Sequence, residues 1–174
     1  MIYFVRHGQT KLNKQKIFQG HIDEPLDDLG ALQAINVALE LKNEKFDYLF
    51  CSPLKRARQT AEAINKYHNL KIVEDKRLAE TNLGKMQGQP YSPDNIDKYF
   101  ADPKKYEGEG FEDVYLRVRE FLEEIKDLKG KNILIVSHSG VNMFVNFYLK
   151  NRNIKKDKVE HIPFINCGVM KYEF

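Results

Sequence analysis

The 174-residue sequence has only two cysteines, Cys51 and Cys167, and neither belongs to a spacing that would hold zinc or iron. Both sit within apolar stretches, which points to buried, reduced thiols rather than a disulfide. No apolar run approaches the roughly 20 residues of a membrane span, and the first is cut at Arg6, so neither a span nor a signal peptide is expected. Net charge is also scarce: 28 Lys and Arg stand against 25 Asp and Glu, and a scattered +3 argues against nucleic acid or membrane as partner. There is no Walker-type glycine loop, no carboxylate cluster to hold magnesium, no internal repeat and no low-complexity tract, which disfavours ATP-dependent chemistry. The expectation is a cytoplasmic protein.

What remains is an ordinary globular composition, 42% hydrophobic and 30% charged. At this length the chain suits one domain, residues 1–174, able to bury about two-thirds of its unfolded surface without staples. Ile2-Tyr3-Phe4-Val5 reads as a short buried strand that ends in Arg6-His7-Gly8-Gln9-Thr10. Ile133-Leu134-Ile135-Val136 repeats the pattern and ends in Ser137-His138-Ser139-Gly140. A lone Arg-His-Gly is a weak signal, equally suited to a loop histidine bonded to a carbonyl. Two strands that each deliver a histidine at the carboxyl end, where parallel α/β sheets bind ligands, are a stronger one.

Between them the period alternates. A polar loop from Gln9 to Asp27 offers donors at Thr10, Asn13, Gln19 and the Gly20 amide. Leu29, Leu32, Ile35 and Leu39 are spaced as the inward face of a helix capped by Asp27 or Asp28. Phe46 to Cys51 is a second strand, and Ser52-Pro53 supplies a cap and a first helical position for a helix that turns Leu54, Ala57, Ala61 and Ile64 inward. Arg56 then lies in the first turn of that helix, with Thr60 on its face. Lys71 to Glu74 is a shorter strand, and Gln87 to Gly110 is an excursion broken by prolines, with room for one short helix. Val114, Val118, Phe121, Leu122, Ile125 and Leu128 mark a longer helix stopped at Gly130. Ser139 is a plausible cap for a helix carrying Val141, Phe144, Val145 and Leu149, and Gly168 to Phe174 alternates as a last strand.

Strands separated by helices imply right-handed crossovers and a mainly parallel sheet covered on both faces. Arg6, His7, Arg56 and His138 then open on one edge. Two guanidiniums and two imidazoles among amides and hydroxyls suit a compact polyanion, above all a phosphoryl group, which arginine matches bidentately. A neutral imidazole nitrogen is a competent covalent nucleophile for such a group.

The residues that carry this argument resemble a known family. Arg6 to Thr10 with Asn13, the run Ser52 to Ala61, Leu78-Ala79-Glu80 followed by Gly84 and Gly88, and Val136-Ser137-His138 are similar, in order, to the motifs of the histidine phosphatase superfamily, phosphoglycerate-mutase-like branch. The resemblance implies a three-layer αβα fold, a transient phosphohistidine, and no metal or other cofactor. By position it makes His7 the nucleophile, with Arg6, Arg56 and His138 holding the phosphoryl oxygens. Asn13, Gln19, Gly20 and Ser139 become further phosphate contacts. Glu80 becomes the acid that protonates the leaving alkoxide and then activates water. His21, His68 and His161 match no catalytic position and read as structural or solvent-facing.

The chain departs from the family pattern twice: Gly108-Glu109-Gly110 lacks a serine common in the family, and Ser139 precedes Gly140 where glycine commonly follows the second histidine directly. The excursion Gln89 to Gly110 has no arginine, and its five acids outnumber its three lysines, which speaks against a clamp for a substrate carboxylate. The aromatics Tyr91, Tyr99, Phe100 and Tyr106, with Phe111 just beyond it, suit either the wall of a site or core packing. The favoured reading is a phosphomonoesterase acting on a small phosphorylated metabolite. A cofactor-dependent phosphoglycerate mutase and a phosphate-binding module without turnover stay open, as does the oligomeric state.

Overall fold

The two apolar runs that end in histidine become the centre of one sheet. The computed structural model describes residues 1–150 and 164–173. Strands β1 (Ile2–Arg6), β2 (Tyr48–Cys51), β3 (Ile72–Glu74), β4 (Ile133–Ser137) and β5 (Val169–Tyr172) pair in the order β3-β2-β4-β1-β5. All pairs are parallel except β1 with the edge strand β5. Helices α1 (Lys11–Lys14), α2 (Asp28–Leu41), α3 (Lys55–Asn65), α4 (Pro93–Ala101), α5 (Phe111–Ile125) and α6 (Ser139–Leu149) make up the rest with short single turns.

Side-chain alternation along β1 and β4 divides the core into two layers. Ile2, Phe4, Ile133 and Ile135 face α5 and α6, against Val118, Phe121, Val141 and Phe144. Tyr3, Val5, Leu134 and Val136 face α2 and α3, against Val37, Ala38, Ala57 and Ala61. A sheet apolar on both faces needs cover on both, and the three-layer αβα arrangement supplies it. The excursion carries a small core of its own, in which Tyr99, Leu83 and Met86 pack with Phe18 of the first loop. A backbone bridge between Ile17 and Pro90 ties that loop to the excursion.

Two local expectations are corrected. The stripe Leu29, Leu32, Ile35 and Leu39 does not face the sheet; these residues are 44–58% exposed, and Gly30, Ala34, Val37, Ala38 and Leu41 pack instead. The start of α2 lies hard against the histidine loop: a Cβ on Gly8 would come within 2.5 Å of the Gly30 carbonyl oxygen. Only a face of small residues permits that approach, so packing selects it over the more hydrophobic stripe. Leu32→Gln is therefore expected to change stability by less than about 0.5 kcal/mol, and Ala34→Leu to cost about 1–3 kcal/mol through overpacking. Denaturant titration of the two variants checks this, and the reverse ranking would overturn the assigned face.

Neither serine cap forms as expected. Helix α3 begins at Lys55 with Leu54 at its cap, and Ser52 is fully buried, one residue past the end of β2. Helix α6 has His138 at its cap and Ser139 as its first residue. Asp27 does cap α2, its carboxylate accepting from the Gly30 N–H at 2.8 Å.

Candidate active site

Register brings the two histidines together. Arg6 of β1 pairs with Ser137 of β4, and the His7 N–H donates to the Ser137 carbonyl at 2.9 Å. Each histidine follows directly on adjacent parallel strands, which lie roughly 5 Å apart. Their ring centroids are 5.1 Å apart, and both side chains are buried. The Gly8 carbonyl oxygen lies 2.7 Å from His7 Nδ1 and can only accept, so Nδ1 carries the proton and Nε2 carries the lone pair. His138 Nε2 lies 2.7 Å from the buried Ser52 hydroxyl.

Arg56, fully buried near the start of α3, donates from Nη2 to the Gly20 carbonyl at 2.8 Å and from Nη1 to the Ile22 carbonyl at 2.9 Å. Thr60, one turn on, accepts from the Gly8 N–H at 3.1 Å and donates to the Arg56 carbonyl at 2.8 Å, joining the helix to the loop that follows His7. Arg6 donates from Nη1 to the Phe164 carbonyl. The Nε atoms of both arginines and Nδ1 of His138 are buried without a hydrogen-bond partner among the described residues. Buried donors seldom go unpaired, so the two guanidinium Nε atoms mark where an acceptor belongs.

Arg6, His7 and Arg56 form the floor of a cavity of about 700 Å³. Arg6, His7, Asn13, Gln19, Gly20, Arg56, Glu80 and Ser139 line it. His138 lies behind His7 and contributes no lining surface. The Thr10 hydroxyl is also withdrawn: it caps α1 and donates to Gln19 Oε1 at 2.9 Å. Asn13 Oδ1 accepts from the Thr10 N–H at 3.2 Å in a reciprocal capping box. With the oxygens of Asn13 and Gln19 engaged, each amide keeps its NH₂ as the free donor, which suits an anion.

Glu80 stands opposite these cations, its Oε1 accepting from the Thr81 N–H at 2.9 Å. Gly140 lies close beside it, and a Cβ there would push the carboxylate aside. Among the described residues, no three His, Cys, Asp or Glu side chains converge as a metal would require. Both cysteines are free, and burial pushes each thiol up to about 12.

Burial, then the guanidiniums of Arg56 and Arg6, hold the His7 imidazolium well below its ordinary range. Burial, then Arg56 and His7, does the same to His138. Burial also lowers Arg56 to about 10, which leaves it charged at neutral pH. Both rings are therefore neutral in the folded protein at neutral pH, whereas in the unfolded chain both protonate near 6.5. Below that pH the unfolded state binds more protons, so stability is lost as pH falls from about 6.5 and kept above it. The two rings together contribute a slope of up to about 2.7 kcal/mol per pH unit, and His7→Ala is expected to remove half of it. Urea titrations between pH 7 and pH 5 check this; a flat profile would contradict the buried neutral pair.

The family model of the histidine phosphatase superfamily (branch 1) matches residues 2–174. The chain belongs to this superfamily. A protein named putative phosphoserine phosphatase 2, from Hydrogenobacter thermophilus, is 35% identical over 148 residues, covering 80% of this chain and 73% of that protein. A mycobacterial glucosyl-3-phosphoglycerate phosphatase solved with VO3 superimposes with a TM-score of 0.77 at 27% identity, covering 88% of this chain and 83% of the other. A phosphoglycerate mutase from Bacillus anthracis strain Sterne does so with a TM-score of 0.78 at 26% identity, covering 97% and 85%. The αβα fold expected from the motifs is the fold of these histidine phosphatase neighbours.

Sequence reasoning misses three residues of this histidine phosphatase site. Arg117 of α5 grips Glu109 with Nε at 2.8 Å and Nη2 at 3.0 Å. It also donates to the carbonyls of Arg77, Ala79 and Glu80 at 2.6, 2.7 and 3.1 Å, fixing the segment that carries Glu80. Its one signal is an arginine amid the inward helical spacing of Val114, Val118 and Phe121. Glu109, the centre of the Gly-Glu-Gly departure, thus has a structural partner. Asn166 donates to the His7 carbonyl at 3.0 Å, and Ser52 orients the second histidine. Nothing local marks Asn166, and the run that begins at Ser52 points to a helix cap rather than to His138.

The aromatics of the excursion divide. Tyr91, Phe100 and Phe111 line the cavity. Tyr99 is buried, its hydroxyl donating to the carbonyls of Glu109 and Asn82 at 2.6 and 3.0 Å, and Tyr106 packs on the small core. His21 is exposed and donates from Nε2 to the Glu80 carbonyl at 2.7 Å; His68 stacks edge-on against Phe46. His161 lies outside the described residues.

Proposed function

We propose that this chain is a phosphomonoesterase that works through a phosphohistidine on His7, within one domain spanning residues 1–174 and in the cytoplasm. The observation that carries the reading is the buried floor: a neutral imidazole, His7, beside two guanidiniums whose buried Nε atoms have no acceptor among the described residues. His7 Nε2 attacks phosphorus and the ester oxygen departs. Glu80 acts as the general acid in this step and gives a proton to the leaving alkoxide. Arg6 and Arg56, with the Asn13 and Gln19 amides and Ser139, hold the phosphoryl oxygens as charge builds, and His138 comes within reach of them only if the bound group draws it past His7. The Glu80 carboxylate then takes a proton from water, which attacks the phosphohistidine and releases inorganic phosphate and free His7.

The charge that a metal would bring to this transfer comes here from the two guanidiniums, so turnover is expected to need no metal or other cofactor. Hydrolysis is favoured over mutase action because the excursion has no arginine, and Lys16 is the one further cation among the described lining residues. Among the described residues no helix is long and apolar enough to cross a membrane. The test is phosphate release from para-nitrophenyl phosphate, 3-phosphoglycerate, and nucleotide and sugar phosphates, in EDTA, by wild type and His7→Ala. Release that survives chelation and vanishes with His7 supports the reading. Isomerisation of phosphoglycerate without release favours the mutase, and silence in both assays favours a binding module.

A further inference from the structure

The phosphate floor occupies only the inner end of the cavity. Above it, Phe18 and Tyr91 form one wall, with ring centroids 5.0 Å apart at 63°. Phe100, Phe111 and Phe144 form the other: the first two stack at 4.3 Å and 16°, and Phe144 lies 5.9 Å from Phe111. Tyr91, Phe100 and Phe111 are 36–49% exposed although they belong to ordered, stacked groups. Neighbouring Tyr99 shows the alternative, since it turns fully into the small core beneath the excursion. Adjacent positions on α4 therefore serve different ends, Tyr99 for the core and Phe100 for the cavity.

A concave site of about 700 Å³ lies in the range that holds a drug-sized molecule, well beyond a phosphate group alone. Water on its aromatic faces is displaced favourably only by an apolar group. Glu80 is the carboxylate beside the floor, and a phosphate dianion already meets Arg6 and Arg56. A second anionic group on the substrate would find Lys16 as its one further cation among the described lining residues.

We infer that the site takes phosphate monoesters of uncharged apolar or aromatic alcohols, whose organic group fills the slot between the Phe18–Tyr91 and Phe100–Phe111 walls. The inference rests on the phosphomonoesterase reading of the same floor. It extends that reading from the phosphoryl group to the leaving group.

The experiment is a series of n-alkyl phosphates, ethyl, butyl, hexyl and octyl. Their leaving alkoxides are almost equally basic, so chemical reactivity is constant and only the buried chain changes. The expected result is a kcat/KM that rises about two- to fourfold per methylene until the slot is full. Phe100→Ala should lower the octyl-to-ethyl ratio by about tenfold, a ratio that a general loss of active protein would leave unchanged. Phosphoserine and 3-phosphoglycerate should react more slowly than butyl phosphate. A flat series, or a preference for the carboxylate-bearing esters, would overturn the inference. If no ester is hydrolysed, the phosphatase reading fails on its own. Calorimetry with n-alkylphosphonates then still decides the slot: affinity rising with chain length upholds it, and constant affinity or no binding rejects it.

Discussion

His7→Ala is expected to lower kcat on every phosphate ester by about 10⁴-fold or more, the scale on which loss of a covalent nucleophile is felt. The effect follows from three features that meet at one nitrogen. The Gly8 carbonyl holds the proton on Nδ1, which leaves the lone pair on Nε2. Burial and the two guanidiniums keep the ring neutral, so that lone pair is available at neutral pH. The same ring lines the cavity together with Arg6 and Arg56, where a phosphoryl group would meet it. His7→Asn keeps a donor for the Gly8 carbonyl but offers no nucleophilic nitrogen, and it should be as inactive as alanine. Both variants should remain folded, because removing a desolvated imidazole relieves an acid-side penalty. Steady-state assays against circular dichroism check this; either variant retaining more than about a tenth of wild-type kcat would reject the nucleophile.

Glu80→Gln is expected to cost about 10²- to 10⁴-fold in kcat on alkyl esters, the usual weight of a general acid-base group. The loss should depend on the leaving group. An alkoxide needs the Glu80 proton to depart, whereas para-nitrophenolate departs without one. With para-nitrophenyl phosphate the variant should therefore phosphorylate His7 readily and stall at the second step, for want of a base to activate water. Stopped-flow traces would show a burst of nitrophenolate close to one equivalent of enzyme, followed by slow turnover. An equal loss on both esters with no burst would mean that Glu80 only shapes the site.

The centre of this fold is readable in the sequence because it is built from local signals. Ile2 to Val5 and Ile133 to Val136 are uninterrupted apolar runs, and a strand buried on both faces has no other composition available. Once they lie side by side in parallel, His7 and His138 must be neighbours, so the histidine pair follows from pattern and topology together. Arg56 is legible for a similar reason, since a helix that starts just past a strand end places its first turn at the same edge.

What local pattern misses is decided across long sequence separations. The face of α2 is chosen by its contact with the Gly8 loop, which favours glycine and alanine over the more apolar leucine stripe. Ser52 looks like a helix cap, yet its hydroxyl serves His138, 86 residues further on. Arg117 acts on carbonyls 37 to 40 residues upstream, and Asn166 on the His7 carbonyl 159 residues upstream. None of these pairings leaves a periodicity or a motif. Aromatics such as Tyr99 and Phe100 are chemically alike in sequence, and only the turn of α4 sends one to the core and its neighbour to the cavity.

The most direct measurement is of the covalent intermediate itself. The enzyme would be mixed with ³²P-labelled ester, quenched in alkaline denaturant within the first turnover, digested, and the labelled peptide identified. The account predicts one phosphoryl group on the peptide that contains His7, stable to base, lost in acid, and absent from His7→Ala. Label on any other residue, or phosphate release with no labelled peptide when the chemical step is fast enough to trap, would contradict it.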